Sequence, residues 1–235
     1  MNLILLFPED ILENGRARLA GYRLKHVLEV HRAAVGDRLV VGMVNGARGT
    51  GTVTAINREA LELDLLLNEQ PSAPLAMTVI LALPRPKVMR RVLFSLTVLG
   101  VKKIILINSQ RVEKSYWQTP FLGVDAVTRQ LVLGLEQARD TVLPDVLLRE
   151  RFKPFVEDEL PEILRGTAAL LAHPYTDQPC PRGINRPVTL AVGPEGGFIP
   201  YEVGRFREIG FTPVSLGERI LNVENAIPAL ISTLQ

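Results

Sequence analysis

Leu75-Ala76-Met77-Thr78-Val79-Ile80-Leu81-Ala82-Leu83 is an apolar run of strand length, and prolines flank it closely. Beyond it, Pro86 to Leu99 carries Val88, Val92, Leu96 and Leu99 at helical spacing. Gly100 sits where a helix C-cap belongs, and Lys102-Lys103 leads into the β-branched run Ile104-Ile105-Leu106-Ile107. Strand, helix and strand in that order form the repeating unit of a parallel sheet, so the stretch predicts an α/β fold. Downstream the pattern continues. Phe121 to Ala138 has helical periodicity, and Thr167–Ala172, Val188–Val192 and Thr212–Leu216 read as strands. Pro200 suits the first turn of a helix, and Glu224 to Leu234 predicts an apolar closing helix. Upstream, Asn68-Glu69-Gln70-Pro71-Ser72-Ala73-Pro74 is polar and proline-bearing and reads as a linker. Before it, short β-favouring runs (Arg38–Val44, Thr50–Ile56, Ala60–Leu67) alternate with turns at Asn45-Gly46 and Asn57-Arg58. With one helical stretch, Gly21 to His31, they predict a compact barrel. Two domains are expected, 1–70 and 75–235.

Composition narrows the class. The 235 residues are 47% hydrophobic and 22% charged, with a net charge of +2 and one cysteine, Cys180. These values exclude intrinsic disorder and a disulfide scaffold. No apolar run reaches the roughly 18–20 residues of a membrane helix. The start lacks a basic stretch and soon meets Glu9-Asp10, so it reads as a strand and not a signal peptide. A cytoplasmic location is the expectation.

Candidate chemistry concentrates at strand ends. Val192-Gly193-Pro194-Glu195-Gly196-Gly197-Phe198 joins a β-branched strand to a helix, and its glycines let backbone groups approach a ligand. It is neither G-x-G-x-x-G nor a P-loop, and no lysine follows, which disfavours a phosphate cradle. Val214-Ser215-Leu216-Gly217-Glu218-Arg219-Ile220-Leu221 repeats the design, and Leu170-Leu171-Ala172-His173-Pro174 is a third strand end. Ligands of open parallel sheets bind beyond the carboxyl ends of strands, so the three loops together predict a small-molecule site. His26, His31 and His173 lie far apart without cysteines at zinc spacing, and no metal is expected. Arg16, Arg18, Arg23, Lys25 and Arg32 cluster with the first two histidines; they either meet phosphates or form a solvated helix face. Tyr116 and Trp117 either stack on a base or anchor a loop. Glu136-Gln137-Ala138-Arg139 reads as the solvated end of a helix.

The paired stretches Gly193–Phe198 and Leu216–Leu221 resemble the signature of the RsmE-type 16S ribosomal RNA uridine methyltransferases of the SPOUT superfamily. Val30–Asp37, Leu99-Gly100-Val101, Ser109-Gln110-Arg111 and Glu136–Arg139 are similar to further blocks of that family, so the resemblance spans nearly the whole chain. It implies a PUA-like RNA-binding β-barrel, followed by a parallel-sheet domain whose carboxyl end is threaded into a trefoil knot. It also implies a homodimer acting on 16S rRNA or the small ribosomal subunit. The cofactor would be S-adenosyl-L-methionine (AdoMet), edged by Leu171, Ala172 and His173, by Gly193, Pro194, Glu195, Gly196 and Gly197, and by Leu216, Gly217, Ile220 and Leu221. Arg23, Lys25 and Arg32 are the expected RNA contacts.

The acceptor implied is the N3 nitrogen of a uridine, which must lose a proton before it can attack. Arg219 is the candidate that stabilises the resulting anion, since arginine keeps its charge. Glu224 either orients Arg219, accepts the proton or serves the amino-terminal end of the last helix. Where the family has I-L-R-x-E-T-A, this chain has Ile220-Leu221-Asn222-Val223-Glu224-Asn225-Ala226, and the family's K-x-x-E-L-G is Ser95–Gly100. Those departures keep two rivals open: a non-catalytic RNA-binding or ribosome-assembly protein on the same fold, and a methyltransferase of a different RNA.

Overall fold

In the computed structural model, which describes residues 2–235, six strands build the amino-terminal sheet. They are β1 (Ile4–Leu6), β2 (Ile11–Leu12), β3 (Arg16–Leu19), β4 (Arg38–Met43), β5 (Arg48–Ile56) and β6 (Leu61–Glu69), with helix α1 (Gly21–His26) between β3 and β4. Their order is β1-β4-β5-β6-β3-β2, and every pair except β1 with β4 is antiparallel. Gly49, Gly51 and Val53 turn inward along β5, where a Cβ on Gly49 would collide with the Leu66 carbonyl oxygen. Two register shifts in the β5–β6 pair bend the ladder. The expected barrel does not close; the sheet curls into half a barrel whose edge strands, of three and two residues, stay apart. Leu6, Leu19, Val27, Val41, Leu61 and Leu63 fill its concave side.

The second sheet carries the α/β reading through. It comprises β7 (Leu75–Ala82), β8 (Val101–Ile107), β9 (Asp145–Arg149), β10 (Ala168–Ala172), β11 (Val188–Val192) and β12 (Thr212–Val214). The order is β12-β10-β11-β7-β8-β9, with all neighbours parallel. Four longer helices accompany it: α2 (Pro86–Val98), α3 (Val124–Ala138), α4 (Pro200–Glu208) and α5 (Val223–Leu234). The predicted spacing of α2 is real, since Val92 and Leu96 are buried together with Met89 and Leu93. Two elements have no counterpart in the sequence reading. Strand β9 shows only Val146-Leu147-Leu148 between charged ends, and the irregular helical stretch 152–163 is broken up by Pro154 and Pro161. No helix among the described residues is long and apolar enough to cross a membrane.

The two compact units are not simply consecutive. The first comprises the residues up to Ala73 together with Val132–Leu143; the second comprises Pro74–Leu131 and Pro144–Gln235. The sequence reading gives all of 75–235 to one domain. In the structure Val132 and Leu135, on the last turns of α3, join Leu3 and Leu5 in an apolar cluster of the first unit.

Glu136 follows from that packing. It is 1% exposed, contrary to a solvated helix end, and its Oε2 has no hydrogen-bond partner among the described residues. Oε1 accepts only long bonds, from the Leu5 N–H at 3.4 Å and the Tyr22 hydroxyl at 3.5 Å. Burial pushes its pKa up to about 7, with the Leu5 N–H and the Arg23 charge partly opposing the rise. The folded chain therefore holds a proton that the unfolded chain releases near the ordinary value of 4.5. Stability falls as pH rises between those two values and levels off above about pH 7. Glu136→Gln is expected to stabilise the protein by about 1–3 kcal/mol above about pH 8 and by little below about pH 5. Urea titrations across that range test it; equal stabilities at alkaline pH would contradict the buried-carboxylate account.

Candidate functional site

Parallel pairing brings three strand ends level. Ala172 of β10 stands opposite both Val192 of β11 and Val214 of β12, so the loops beginning at His173, Gly193 and Ser215 leave the sheet side by side. The His173 N–H donates to the Val214 carbonyl at 2.9 Å. Ser215 is held from the far side, where it exchanges backbone hydrogen bonds of 2.9 and 2.8 Å with Gln178 and Cys180.

The loop after β11 is fixed at several points. The Gly197 N–H closes a tight turn onto the Pro194 carbonyl at 2.7 Å, and Gly197 has φ +71°, the left-handed region. The Glu195 carboxylate accepts the Arg85 N–H, at the start of α2, at 3.2 Å. The Arg111 guanidinium, beyond β8, donates to the Gly196 carbonyl. The backbone then enters α4, where buried Glu202 accepts the N–H groups of Ile199 at 3.0 Å and Gln110 at 2.8 Å. Behind the loop, Phe198 packs on Phe206, which also meets Phe152 and Phe211 with ring centroids 5.0–5.5 Å apart.

The loops enclose a cavity of about 900 Å³, open to solvent at its mouth, with Val192, Val214, Val223 and Leu230 contributing buried apolar wall. Of the predicted cofactor residues, Ala172, His173, Gly193, Pro194, Glu195, Gly196, Gly197, Leu216, Gly217, Ile220 and Leu221 line it. Leu171 does not; it is fully buried in β10. Arg219 lines the cavity and is exposed, without an ion-pair partner among the described residues. Burial, and then the Arg207 charge, hold the His173 imidazole below its ordinary pKa.

Two expectations need correction. Glu224 does not line the cavity: its carboxylate forms a two-pronged pair with Arg91 of α2. Arg23, expected to meet phosphates, is largely buried. It grips Asp10, with Nη2 at 2.7 Å from Oδ1, and donates to the Leu5 carbonyl at 2.9 Å. Lys25 and Arg32 remain exposed, Lys25 only 3.9 Å from Glu29. Trp117 takes the anchoring role, donating from Nε1 to Asn108 at 3.0 Å. Arg111, which the sequence offered only within the family-like block Ser109-Gln110-Arg111 and without a role, also lines the cavity. No group of three His, Cys, Asp or Glu among the described residues could hold a metal ion.

A glycine-built cavity at the carboxyl end of a parallel sheet defines a ligand-binding α/β protein. Residues 71–235 match the RNA methyltransferase domain, and the chain belongs to that family. Over 233 residues it is 26% identical to ribosomal RNA small subunit methyltransferase E of Treponema pallidum, covering 96% of this chain and 87% of that relative. The namesake of Synechocystis is 27% identical over 230 residues, 95% of this chain and 73% of the relative. In three dimensions the chain is similar to ribosomal RNA small subunit methyltransferase E from Neisseria gonorrhoeae, crystallised bound to S-adenosyl methionine. The TM-score is 0.77 at 23% identity, covering 99% of this chain and 95% of that one. The RsmE-type resemblance drawn from the motifs is borne out.

Gly197 has open space where a Cβ would go, so its constraint is conformational and not steric. Gly197→Val should cost about 1–2 kcal/mol through its positive φ. Gly196→Ala meets only the flexible Arg111 side chain, at 3.1 Å, and should cost less. Urea denaturation of both variants measures the order; the reverse order would refute this account of the loop.

Proposed function

We propose that this cavity binds AdoMet and that the protein methylates a uridine at N3 in 16S ribosomal RNA. The observation that carries the reading is the set of level strand ends with a glycine loop in a domain of the RNA methyltransferase family. The residues fit the cofactor. Gly193–Gly197 offer backbone donors and acceptors, and the apolar wall suits an adenosine. Bound there, AdoMet supplies a methyl group on a sulfonium. Ala172 and His173 hold one edge, Gly193, Pro194, Glu195, Gly196 and Gly197 the second, and Leu216, Gly217, Ile220 and Leu221 the third, with Leu171 supporting from behind. Arg219 stabilises the uridine anion as N3 gives its proton to water at the open mouth of the cavity. Glu224, occupied by Arg91, has a positioning role at the start of α5.

The same reading takes the amino-terminal half-barrel as PUA-like and as contributing RNA contacts through Lys25 and Arg32. It takes the carboxyl end as knotted, which is supported by the Ile184 N–H reaching the Leu234 carbonyl at 2.9 Å. It takes the protein to be a cytoplasmic homodimer that acts on 16S rRNA or the small subunit.

Calorimetry with AdoMet and methyl transfer to 16S RNA, followed by nucleoside mass spectrometry, test the function. Arg219→Ala should slow transfer by about 100-fold or more, the range for losing a key electrostatic donor, while AdoMet affinity changes far less. A wild type that binds AdoMet and methylates no ribosomal RNA would favour the non-catalytic rival. Activity surviving Arg219→Ala would remove that residue from the mechanism.

A further inference from the structure

The basic side chains expected to face RNA lie on the first unit, and Arg23 among them is spent on Asp10. A second set of cations lies on the other unit, where Arg111 lines the cavity and the rest sit on segments joined to its loops. Lys87 and Arg90 on α2, Arg111 beyond β8, and Lys114 at the start of the helical turn Lys114–Gln118 are all exposed. None has a carboxylate partner among the described residues, whereas Arg91, Arg149 and Arg205 of the same unit are ion-paired.

Contacts join these segments into one rim. The Arg85 N–H reaches Glu195, and the Arg85 guanidinium lies beside the hydroxyl of Tyr116, in the same turn as Lys114. Arg90 lies over the ring of Phe121, 4.8 Å from its centroid, which ties α2 to the turn Pro120–Leu122. Arg111 links the rim to the cavity through the Gly196 carbonyl, and its remaining N–H groups stay available. The neighbouring carboxylates Glu113 and Glu195 are engaged, by the Tyr116 hydroxyl at 2.8 Å and by the Arg85 N–H.

We infer that this rim is a binding surface for the phosphates of single-stranded RNA, guiding one nucleotide into the cavity. The inference rests on the function proposed above and extends it. A base that reacts inside a cavity must leave its stack, so the flanking strand has to be held unstacked at the mouth. Unpaired cations interleaved with aromatic side chains supply such a hold, through phosphate contacts and stacking. Lys87 and Lys114 carry the charge at the outer rim, and Arg111 carries it at the entrance.

The test uses the full chain and a labelled oligouridylate, with binding followed by fluorescence anisotropy across a salt series. Lys87→Glu combined with Lys114→Glu changes exposed side chains that line no part of the cavity. The slope of log affinity against log salt should fall by about one to two, since a single-strand contact contributes about 0.7. AdoMet affinity, measured by calorimetry on the same variant, should not change. If the charge-reversed pair proves unstable, Lys87→Gln with Lys114→Gln should lower the slope in the same direction. An unchanged slope overturns the inference, and so does a variant that loses AdoMet affinity together with RNA. If the wild type does not bind AdoMet and the double variant still lowers the slope, the proposed function fails and the rim stands.

Discussion

The parallel register of β10, β11 and β12 is the constraint on which the site depends. Hydrogen bonding sets Ala172, Val192 and Val214 at one level, and a slip of one residue would turn every side chain to the opposite face. Three neighbouring loops must then reverse within a narrow space. That geometry asks for residues without Cβ penalties at the tight points, which explains Gly197 at φ +71° and Gly217 at φ +109°. The fasteners come from other strands: Arg85 follows β7 and Arg111 follows β8. The glycine loop is thus shaped by the whole central sheet and not by its own sequence alone.

The legible features were those whose signal is local. An apolar strand, an amphipathic helix and a glycine at a strand end all show within a dozen residues. The β7–α2–β8 unit and the three cavity loops could be read on that basis. Features decided by distant partners were not legible. Arg23 looked like a surface cation because charge pattern does not reveal that Asp10 is waiting beneath it. Glu136 looked solvated because nothing near it in sequence says that Leu3 and Leu5 cover that face of α3. Strand β9 was lost for a related reason: an edge strand needs only one apolar face and leaves a weak mark. Closure of the half-barrel depended on strand lengths at its two edges, which propensity does not set.

The arginines divide into two kinds, and the division has energetic content. Arg23 and Asp10 are 13% and 6% exposed, so removing either would strand a buried charge, a cost of several kcal/mol. Arg91 and Glu224 are 64% and 29% exposed, and such a pair contributes about 1 kcal/mol or less. The attachment of α5 therefore rests mainly on its buried residues Ile227, Leu230 and Ile231, and the Arg91 pair only sets an orientation. Arg111 and Arg219 belong to neither kind. They carry charge at the cavity with no ion-pair partner among the described residues, which leaves that charge available to an anionic group.

Asn222 shows what this chain has exchanged relative to the family it resembles. Its side chain accepts the Asn225 N–H at 2.9 Å and caps α5. Asparagine is among the best residues for that position and is worth about 1 kcal/mol over one that cannot cap. The arginine found there in the family has no acceptor and could not make this bond. Val223 and Ala226, in the first turn that the cap secures, line the cavity. Relative to that family motif, asparagine gives up a cation next to the cavity wall and caps the helix turn that carries Val223 and Ala226. The cation left on that loop is Arg219, three residues earlier and just beyond the φ +109° turn at Gly217. The two arginines that line the cavity thus come from different parts of the sheet, Arg219 from the loop after β12 and Arg111 from the loop after β8.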